Sequence, residues 1–186
     1  MVLRALLVLT LFLSAMRAAA DPEVAVAVVS SGEAFVIDVS FVAPVEQRIA
    51  WDVLVDFDHM AGIVHNLTSS RVVSRDGNML VIRQQGVARY GVFSYEFESE
   101  REIRLEPTTR ILARSLGGTE KRMTSEARLQ ATEQGRGVQV RYHAEAVSDS
   151  WFVRTFGAPF LRHEVGEQFR YMLAEMKRRQ AETARQ

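Results

Sequence analysis

The chain has 186 residues, in which 23 Lys and Arg are balanced by 23 Asp and Glu, with four His, no Cys and 47% apolar residues. This composition is typical of a globular domain and excludes the disordered and fibrous classes. Because basic and acidic residues are equal in number, the positive excess that binds nucleic acid is missing, and we expect no nucleic-acid partner. The lack of Cys excludes disulfide bonds, thiol catalysis and thiolate metal sites.

The first 20 residues have the layout of a secretory signal peptide. Arg4 is followed by an apolar run, and the small residues Ala18 and Ala20 suit the cleavage site of a signal peptidase. The alternative is an uncleaved membrane anchor, which needs roughly 20 apolar residues, more than this run has. We therefore predict that residues 1–20 are removed on export, that residues 21–186 form one domain, and that this domain is periplasmic in a bacterium.

Eight stretches of the sequence have the patterns of β-strands. The first two flank Ser30-Ser31-Gly32-Glu33, which is typical of a hairpin turn, and Asp76-Gly77 indicates a second hairpin. Pro107-Thr108 and two segments that contain glycine separate the later stretches. The predicted strands cover residues 24–29, 35–42, 70–74, 78–87, 90–105, 110–116, 122–131 and 138–147.

Helical periodicity is found in two places. Pro44 suits the first position of a helix that ends near His59, and a second short helix or turn follows it. From Pro159 to about Ala184, apolar residues recur at spacings of three and four, which predicts a long amphipathic helix. The segment Trp151–Phe156 is predicted to be a turn before this helix, with an interruption at Gly157 and Pro159.

Consecutive hairpins followed by one long helix predict an α+β fold. The apolar face of the sheet must be covered, and only the terminal helix is long enough to cover it. A strongly twisted antiparallel sheet curls, so a helix on its concave side can leave a hollow. The patterns do not tell whether that hollow holds packed side chains or a ligand.

Five segments carry a resemblance to a known family. They are residues 50–60 (AWDVLVDFDHM), residues 81–86 (VIRQQG), Gly117-Gly118, Val140-Arg141-Tyr142 and the closing helix from Phe169 to Arg179. In this order they resemble the START-like, polyketide-cyclase and coenzyme-Q-binding superfamily (SRPBCC) over about residues 35–180. The resemblance implies a helix-grip fold, in which a curved antiparallel sheet wraps around a long C-terminal helix and encloses an elongated apolar cavity. One departure is His65, where many relatives carry a proline.

Aromatic and methionine side chains on the strands and the last helix are the candidate lining of such a cavity. Methionine adapts to varied apolar ligands, although the same residues would also suit a packed core. Arg83, Gln85 and Tyr142 are candidates to orient a polar head group, because buried polar groups need hydrogen bonds. The candidate ligand-binding residues are Arg83, Gln85, Phe93, Tyr95, Phe97, Met123, Tyr142, Phe160, Phe169, Met172 and Met176.

No catalytic or metal-binding pattern is found. The four histidines (His59, His65, His143 and His163) lack the spacing of metal ligands, and no serine lies in a nucleophile elbow. No phosphate-binding glycine loop is present. Four glutamates at alternate positions from Glu96 to Glu102 are expected on a solvated strand face, paired with arginines on later strands. We therefore predict no catalytic residues, no metal and no cofactor.

These observations favour an exported, non-enzymatic binding or carrier protein for a lipid-like or isoprenoid-like ligand. An alternative is a cyclase or dehydratase that acts on a polyketide-like substrate, with Tyr142, Arg83 or His65 polarising a carbonyl. A third hypothesis is transient membrane contact through Arg162 and Lys177-Arg178-Arg179. The sequence predicts neither the identity of the ligand nor the oligomeric state.

Overall fold

Alternating apolar residues build one eight-stranded antiparallel sheet in the computed structural model, which describes residues 23–133, 135 and 137–185. The predicted signal peptide lies outside the described residues. The order across the sheet is β1-β2-β8-β7-β6-β5-β4-β3, so each strand from β3 to β7 pairs with the next one along the chain, and β8 also pairs with β2. The strands are β1 (Ala25–Ser31), β2 (Ala34–Ala43), β3 (Leu67–Asp76), β4 (Met79–Tyr90), β5 (Phe93–Glu106), β6 (Arg110–Gly118), β7 (Arg122–Ala131) and β8 (Val138–Val147).

Turn chemistry determines where most strands end, as the sequence predicts. Gly32 and Gly77 adopt positive φ angles of 60° and 53° in the first two hairpins, a conformation that glycine adopts without steric cost. The predicted strand 90–105 is wrong at its start. Tyr90 ends β4 and pairs with Phe93, and Gly91 with φ of 61° makes a two-residue turn between them. The apolar pattern continues through this turn and therefore hides it.

Two short helices connect β2 to β3. Helix α1 spans Gln47–Leu54, a 3₁₀ turn covers Phe57–His59, and helix α2 spans Met60–Ile63. The predicted helix start at Pro44 is wrong by three residues, since β2 continues to Ala43, which pairs with Val138 of β8. Most residues of α1 are buried, so the helix closes one end of the fold.

The chain ends in a long helix, α3, which spans Trp151–Thr183. The Ser150 side chain caps its first turn by accepting a hydrogen bond from the Phe152 amide. Gly157 is not helical, with φ of 55° and ψ of −141°, so it divides α3 into a short and a long part. The predicted turn at Trp151–Phe156 is therefore helical. The predicted interruption is confirmed at Gly157, whereas Pro159 lies within the helix.

The core lies between the concave face of the curved sheet and the long part of α3. Phe169, Leu173 and Met176 of α3 are buried there against sheet residues such as Ile37 and Val140. A second, smaller cluster surrounds Phe152, Val153 and Phe160 near the start of α3. This arrangement of sheet and helix is the helix-grip type of α+β fold, which confirms the predicted fold class.

Ion pairs cover the convex face of the sheet. The expected pairing of the glutamate row is confirmed for Glu102, which accepts hydrogen bonds from Arg114 at 2.7 and 2.9 Å. Glu100 instead accepts from Arg83 Nε at 2.9 Å, across the β4–β5 ladder. Arg110 binds Glu106 and Glu126. The convex face is therefore a charged surface.

Candidate functional site

A cavity of about 270 Å³ lies between the concave face of the sheet and α3. This volume is close to the lower end of the range of small-molecule sites, about 300–1,000 Å³. Strands β4 to β8 form one wall, and residues 153–172 of α3 form the opposite wall. Its lining is mainly apolar and includes Leu54, Met60, Ala88, Ile103, Ile111, Ala113, Leu161 and Val165.

Seven of the eleven residues predicted to bind a ligand line this cavity: Tyr95, Phe97, Met123, Tyr142, Phe160, Phe169 and Met172. Met176 is fully buried in the core and does not line the cavity. Phe93 lies at the start of β5 with about half of its surface exposed, and its ring contacts Phe156. The structure therefore brings together most of the predicted aromatic set, and ligand binding by these residues stays a prediction.

The predicted location of Arg83 and Gln85 in the cavity is wrong. Both residues lie on the convex face of the sheet and outside the cavity. Leu80 and Ile82 are buried on the concave face, so alternation along β4 places Gln84 inside and its two neighbours outside. The stretch has apolar residues at both parities, which is why the sequence alone misassigned the two polar side chains.

Arg101 is one of several polar cavity residues that the sequence patterns did not indicate, together with Gln84, Glu120 and Glu164. It lies between glutamates of the outer row, on the same face of β5 as Tyr95 and Phe97, and this shared parity was the available signal. Its Nη2 donates a hydrogen bond to Gln84 Oε1. Gln84 Nε2 in turn donates to Ser70 Oγ at 2.9 Å. This chain of hydrogen bonds fixes the guanidinium on the concave wall.

Two acids share the wall with Arg101. Burial raises the pKa of the Glu120 carboxyl above its ordinary value, although the positive charge of Arg101 opposes the shift. Burial likewise raises the pKa of the Tyr142 phenol, against a hydrogen bond with Ser125. Glu120 and Tyr142 line the cavity, so the wall offers a permanent cation beside a carboxyl that holds a proton more readily than an exposed one does. Such a wall can donate hydrogen bonds to an oxygen acceptor.

A second polar pair lies where α3 crosses the start of β3. Asn66 Nδ2 donates a hydrogen bond to Glu164 Oε2 at 2.8 Å. Burial raises the pKa of Glu164, although this hydrogen bond opposes the shift. Asn66 Oδ1 and Arg101 Nε are buried and have no hydrogen-bond partner within the described part of the chain. Both belong to cavity residues, and a buried polar atom without a partner costs about 1–3 kcal/mol.

The remaining candidates lie elsewhere. His65 is exposed and packs against Tyr171 in a tilted arrangement with 4.1 Å between ring centroids, outside the cavity lining. Exposed His143 forms a hydrogen bond with Asp38 at 2.8 Å. Among residues 23–133, 135 and 137–185, no group of three acidic or histidine side chains is placed to hold a metal ion. None of the described helices is both long and apolar enough to span a membrane.

No curated protein matches the sequence. The fold is similar to that of the Zhui aromatase/cyclase from Streptomyces sp. R1128, which is 15% identical, with a TM-score of 0.68 over 78% of this chain and 95% of that chain. It is also similar to a STAR-related lipid transfer protein fragment from Xanthomonas axonopodis, which is 11% identical, with a TM-score of 0.61 over 83% and 94%. A START superfamily protein from Mycobacterium smegmatis is 6% identical, with a TM-score of 0.61 over 80% and 98%.

The model of one protein family agrees with these structural similarities and with the resemblance seen in the sequence. This family is described as polyketide cyclase / dehydrase and lipid transport, and its model matches residues 43–170, more than half of the chain. The cavity between sheet and helix lies almost wholly within the matched residues. The chain therefore belongs to the polyketide cyclase / dehydrase and lipid transport family, and its fold fits a domain that binds a hydrophobic ligand.

Proposed function

We propose that this protein is an exported carrier that holds a lipid-like or isoprenoid-like molecule in the cavity under α3. The observation that carries the proposal is the mainly apolar lining of about 270 Å³ of space between sheet and helix. Each Å² of apolar surface removed from water stabilises a complex by about 25 cal/mol, so a buried hydrocarbon chain supplies affinity without charged contacts. The size of the cavity favours a compact ligand or a single chain.

The polar wall suggests what the head of the ligand looks like. Arg101, Glu120 and Tyr142 face the same space, and all three side chains can donate hydrogen bonds when Glu120 is protonated. The matching group on a ligand is an oxygen acceptor such as a carbonyl or a carboxylate. The proposed ligand is thus apolar over most of its length, with one oxygen-bearing end against Arg101.

Export is the part of the proposal that rests on residues 1–20. Their cation, apolar run and small-residue end suit a cleaved leader, and cleavage after Ala20 would also remove two basic residues. The mature domain would then be slightly acidic. Mass spectrometry of the protein recovered from the periplasm of a bacterial host gives the first residue directly. A chain that keeps Met1 and stays in the cytoplasm would contradict export while leaving the carrier proposal intact.

Ligand carriage is tested on the same exported protein. Native mass spectrometry followed by organic extraction identifies a co-purified apolar molecule, and a panel of fatty acids, quinones and sterols is tested for an increase in the melting temperature. The variant Ala113→Leu adds three carbons to a side chain that lines the cavity, and Ala131→Leu adds the same three carbons at an exposed strand end. We expect Ala113→Leu alone to weaken binding about tenfold or more. A wild-type protein that carries nothing and responds to no member of the panel would refute the proposal.

The alternative is a cyclase or dehydratase that uses the same cavity, and one observation supports it. A carboxyl with a raised pKa, a phenol and a guanidinium lie on one wall, an arrangement suited to polarising a carbonyl and moving a proton. The enzyme would use Arg101 and Glu120 with Tyr142, instead of Arg83 and His65. Tyr142→Phe distinguishes the two functions, since it should abolish turnover of a polyketide-like substrate but change binding to a carrier only modestly.

A further inference from the structure

One end of the sheet exposes large apolar side chains. The β4–β5 turn, the β6–β7 loop, the β1–β2 turn and the start of α3 meet at this end, which we call the tip. At the tip, Val92 is 94% exposed, Trp151 is 59% exposed and Phe93 is 48% exposed. A buried location is normal for such residues in a domain with a formed core, so a cluster of exposed ones indicates an interaction surface.

Ring contacts connect two of these side chains, Phe93 and Trp151, through two phenylalanines. Phe93 lies 5.2 Å from Phe156, Phe156 lies 4.6 Å from Phe152, and Phe152 lies 5.5 Å from Trp151, measured between ring centroids. Phe152 is fully buried and Phe156 is half-buried. Phe93 and Trp151 are therefore joined to the core through an aromatic cluster, and Val92 lies in the two-residue turn next to Phe93.

Charges of both signs surround the apolar side chains. Arg89, Lys121, Arg122 and Arg154 are exposed at the tip, together with the exposed carboxylates of Glu33, Glu96, Glu98 and Asp149. Lys121 pairs with Asp149 at 3.4 Å. Arg89, Arg122 and Arg154 form no ion pair with any residue that the structure describes. The tip thus combines an apolar centre with unpaired guanidinium groups.

The other end of α3 is different. Lys177 pairs with Glu23, and Arg178 pairs with Glu175 and Glu182. Arg179 pairs with Glu175 and Asp56. The basic cluster that the sequence suggested for membrane contact is therefore neutralised within the domain itself.

The tip also lies directly over one end of the cavity. Phe152 stacks on Tyr95 at 5.3 Å, and Tyr95 lines the cavity together with Val153 and Phe160. The short part of α3 is thus the layer between the cavity and the exposed surface. Gly157 joins it to the rest of the helix through a non-helical conformation.

We propose that the tip docks on an anionic lipid bilayer, with Trp151, Val92 and Phe93 at the level of the head groups. Aromatic side chains favour the membrane interface, and each nearby arginine adds attraction to anionic lipid. The proposal of docking rests on the exposed apolar side chains and the unpaired arginines of the tip. Only its use, the transfer of a ligand between bilayer and cavity, rests on the proposed carrier function.

Vesicle binding of the exported protein tests the proposal. Co-sedimentation is measured with vesicles of phosphatidylcholine alone and with about one third phosphatidylglycerol. Trp151 and the buried Trp51 are the two tryptophans, so Trp51→Phe leaves the emission of Trp151 as a reporter of its surroundings. We expect binding to anionic vesicles, a blue shift of that emission, and weaker binding as salt is added.

Matched variants locate the surface. The double substitution Val92→Ser and Trp151→Ser should lower binding at least tenfold, and Arg89→Gln with Arg154→Gln should lower it about fivefold per arginine. Val73→Ser, an exposed apolar residue on the edge strand β3, and Lys177→Gln with Arg178→Gln serve as distant controls and should bind as the wild type does. All variants carry the same N-terminus, so any contribution from it cancels.

Three results would overturn the proposal: no binding to anionic vesicles, equal loss in the distant controls, or a tip variant that turns a dimer into a monomer without any vesicle binding. The third result, measured by light scattering, would assign the tip to a contact between two copies of the chain. Ligand uptake is assayed separately without vesicles. Docking with an empty cavity would therefore refute the carrier function alone, and a loaded protein that ignores vesicles would refute docking alone.

Discussion

Arg179 Nη2 donates a hydrogen bond to Asp56 Oδ2 at 2.6 Å, which connects the last turns of α3 to the end of α1, 123 residues earlier in the chain. Arg179 Nε also donates to Glu175 at 2.7 Å. Both carboxylates are largely shielded from solvent, so these charge-assisted bonds contribute more than pairs on the open surface. The relationship fixes where α3 lies over the sheet, and hence one wall of the cavity.

Removing this connection should destabilise the fold. Arg179→Gln is expected to lower the free energy of unfolding by about 1–2 kcal/mol at pH 7, since it leaves Asp56 half-buried without its cation. Arg178→Gln is the matched control, because that guanidinium is exposed, and its loss should cost less than about 1 kcal/mol. Urea denaturation measures both variants. Equal effects would show that the contact with Asp56 has no special role.

The contacts of Glu175 with Arg178 and Arg179 predict a loss of stability in acid. Hydrogen bonds from Arg178 and Arg179 lower the pKa of Glu175 to about 2, against the effect of burial. A carboxyl with a lowered pKa stabilises the fold fully above its ordinary pKa of 4.5, and this stabilisation is lost as the pH falls from 4.5 towards 2. Glu175→Gln should flatten that part of the pH–stability curve. An unchanged slope between pH 4.5 and 2 would contradict the prediction.

Glu164 should have the opposite effect on the pH dependence of stability. Burial raises its pKa, so the folded protein holds a proton that the unfolded chain releases at lower pH. Its contribution therefore becomes less favourable as the pH rises from 4.5 through the raised pKa. Denaturation of the wild type and of Glu164→Gln should diverge over this window, with the variant gaining relative stability towards neutral pH. Glu167→Gln, where the hydrogen bond from Arg170 lowers the carboxyl pKa, should diverge in the other direction.

Replacement of Gly157 should destabilise the fold through its backbone conformation. Its φ of 55° and ψ of −141° lie in a region that side chains other than glycine avoid. A Cβ there would meet only Phe35 at 4.0 Å, so the cost of Gly157→Ala comes from the backbone and should be about 1–3 kcal/mol. A Cβ at Gly166, in the long part of α3, would meet the end of the long Arg170 side chain at 3.2 Å, so Gly166→Ala should be neutral or stabilising. Thermal or urea unfolding distinguishes the two.

Alternate residues of β4 and β5 should differ sharply in ligand binding. Arg101→Gln and Gln84→Ala remove donors from the concave wall, and loss of a charged hydrogen bond should weaken binding of an oxygen-bearing ligand about tenfold or more. Arg83→Gln and Gln85→Ala alter the convex face and should leave affinity unchanged. Titration with the ligand identified by extraction provides the measurement. Weaker binding in the convex-face pair would place the ligand elsewhere.

The sequence by itself determined the class of this fold. The stretches 122–131 and 138–147 coincide with β7 and β8, because alternation and glycine turns are local properties that each segment carries alone. The order of hairpins and helix then permits few arrangements, and the resemblance over about residues 35–180 agrees with the family match at 43–170. Most aromatic residues of the cavity could be named in advance for the same reason.

Only the tertiary structure decided which face of each strand is concave. Strand β4 carries apolar residues at both parities, so Gln84 and Gln85 look equivalent until α3 covers one side of the sheet. The position of Arg101 inside a row of glutamates, the contact of Arg179 with Asp56 and the exposure of Trp151 likewise depend on segments far apart in the chain. Alternation assigns residues to faces, but only the packing of distant segments determines what each face meets.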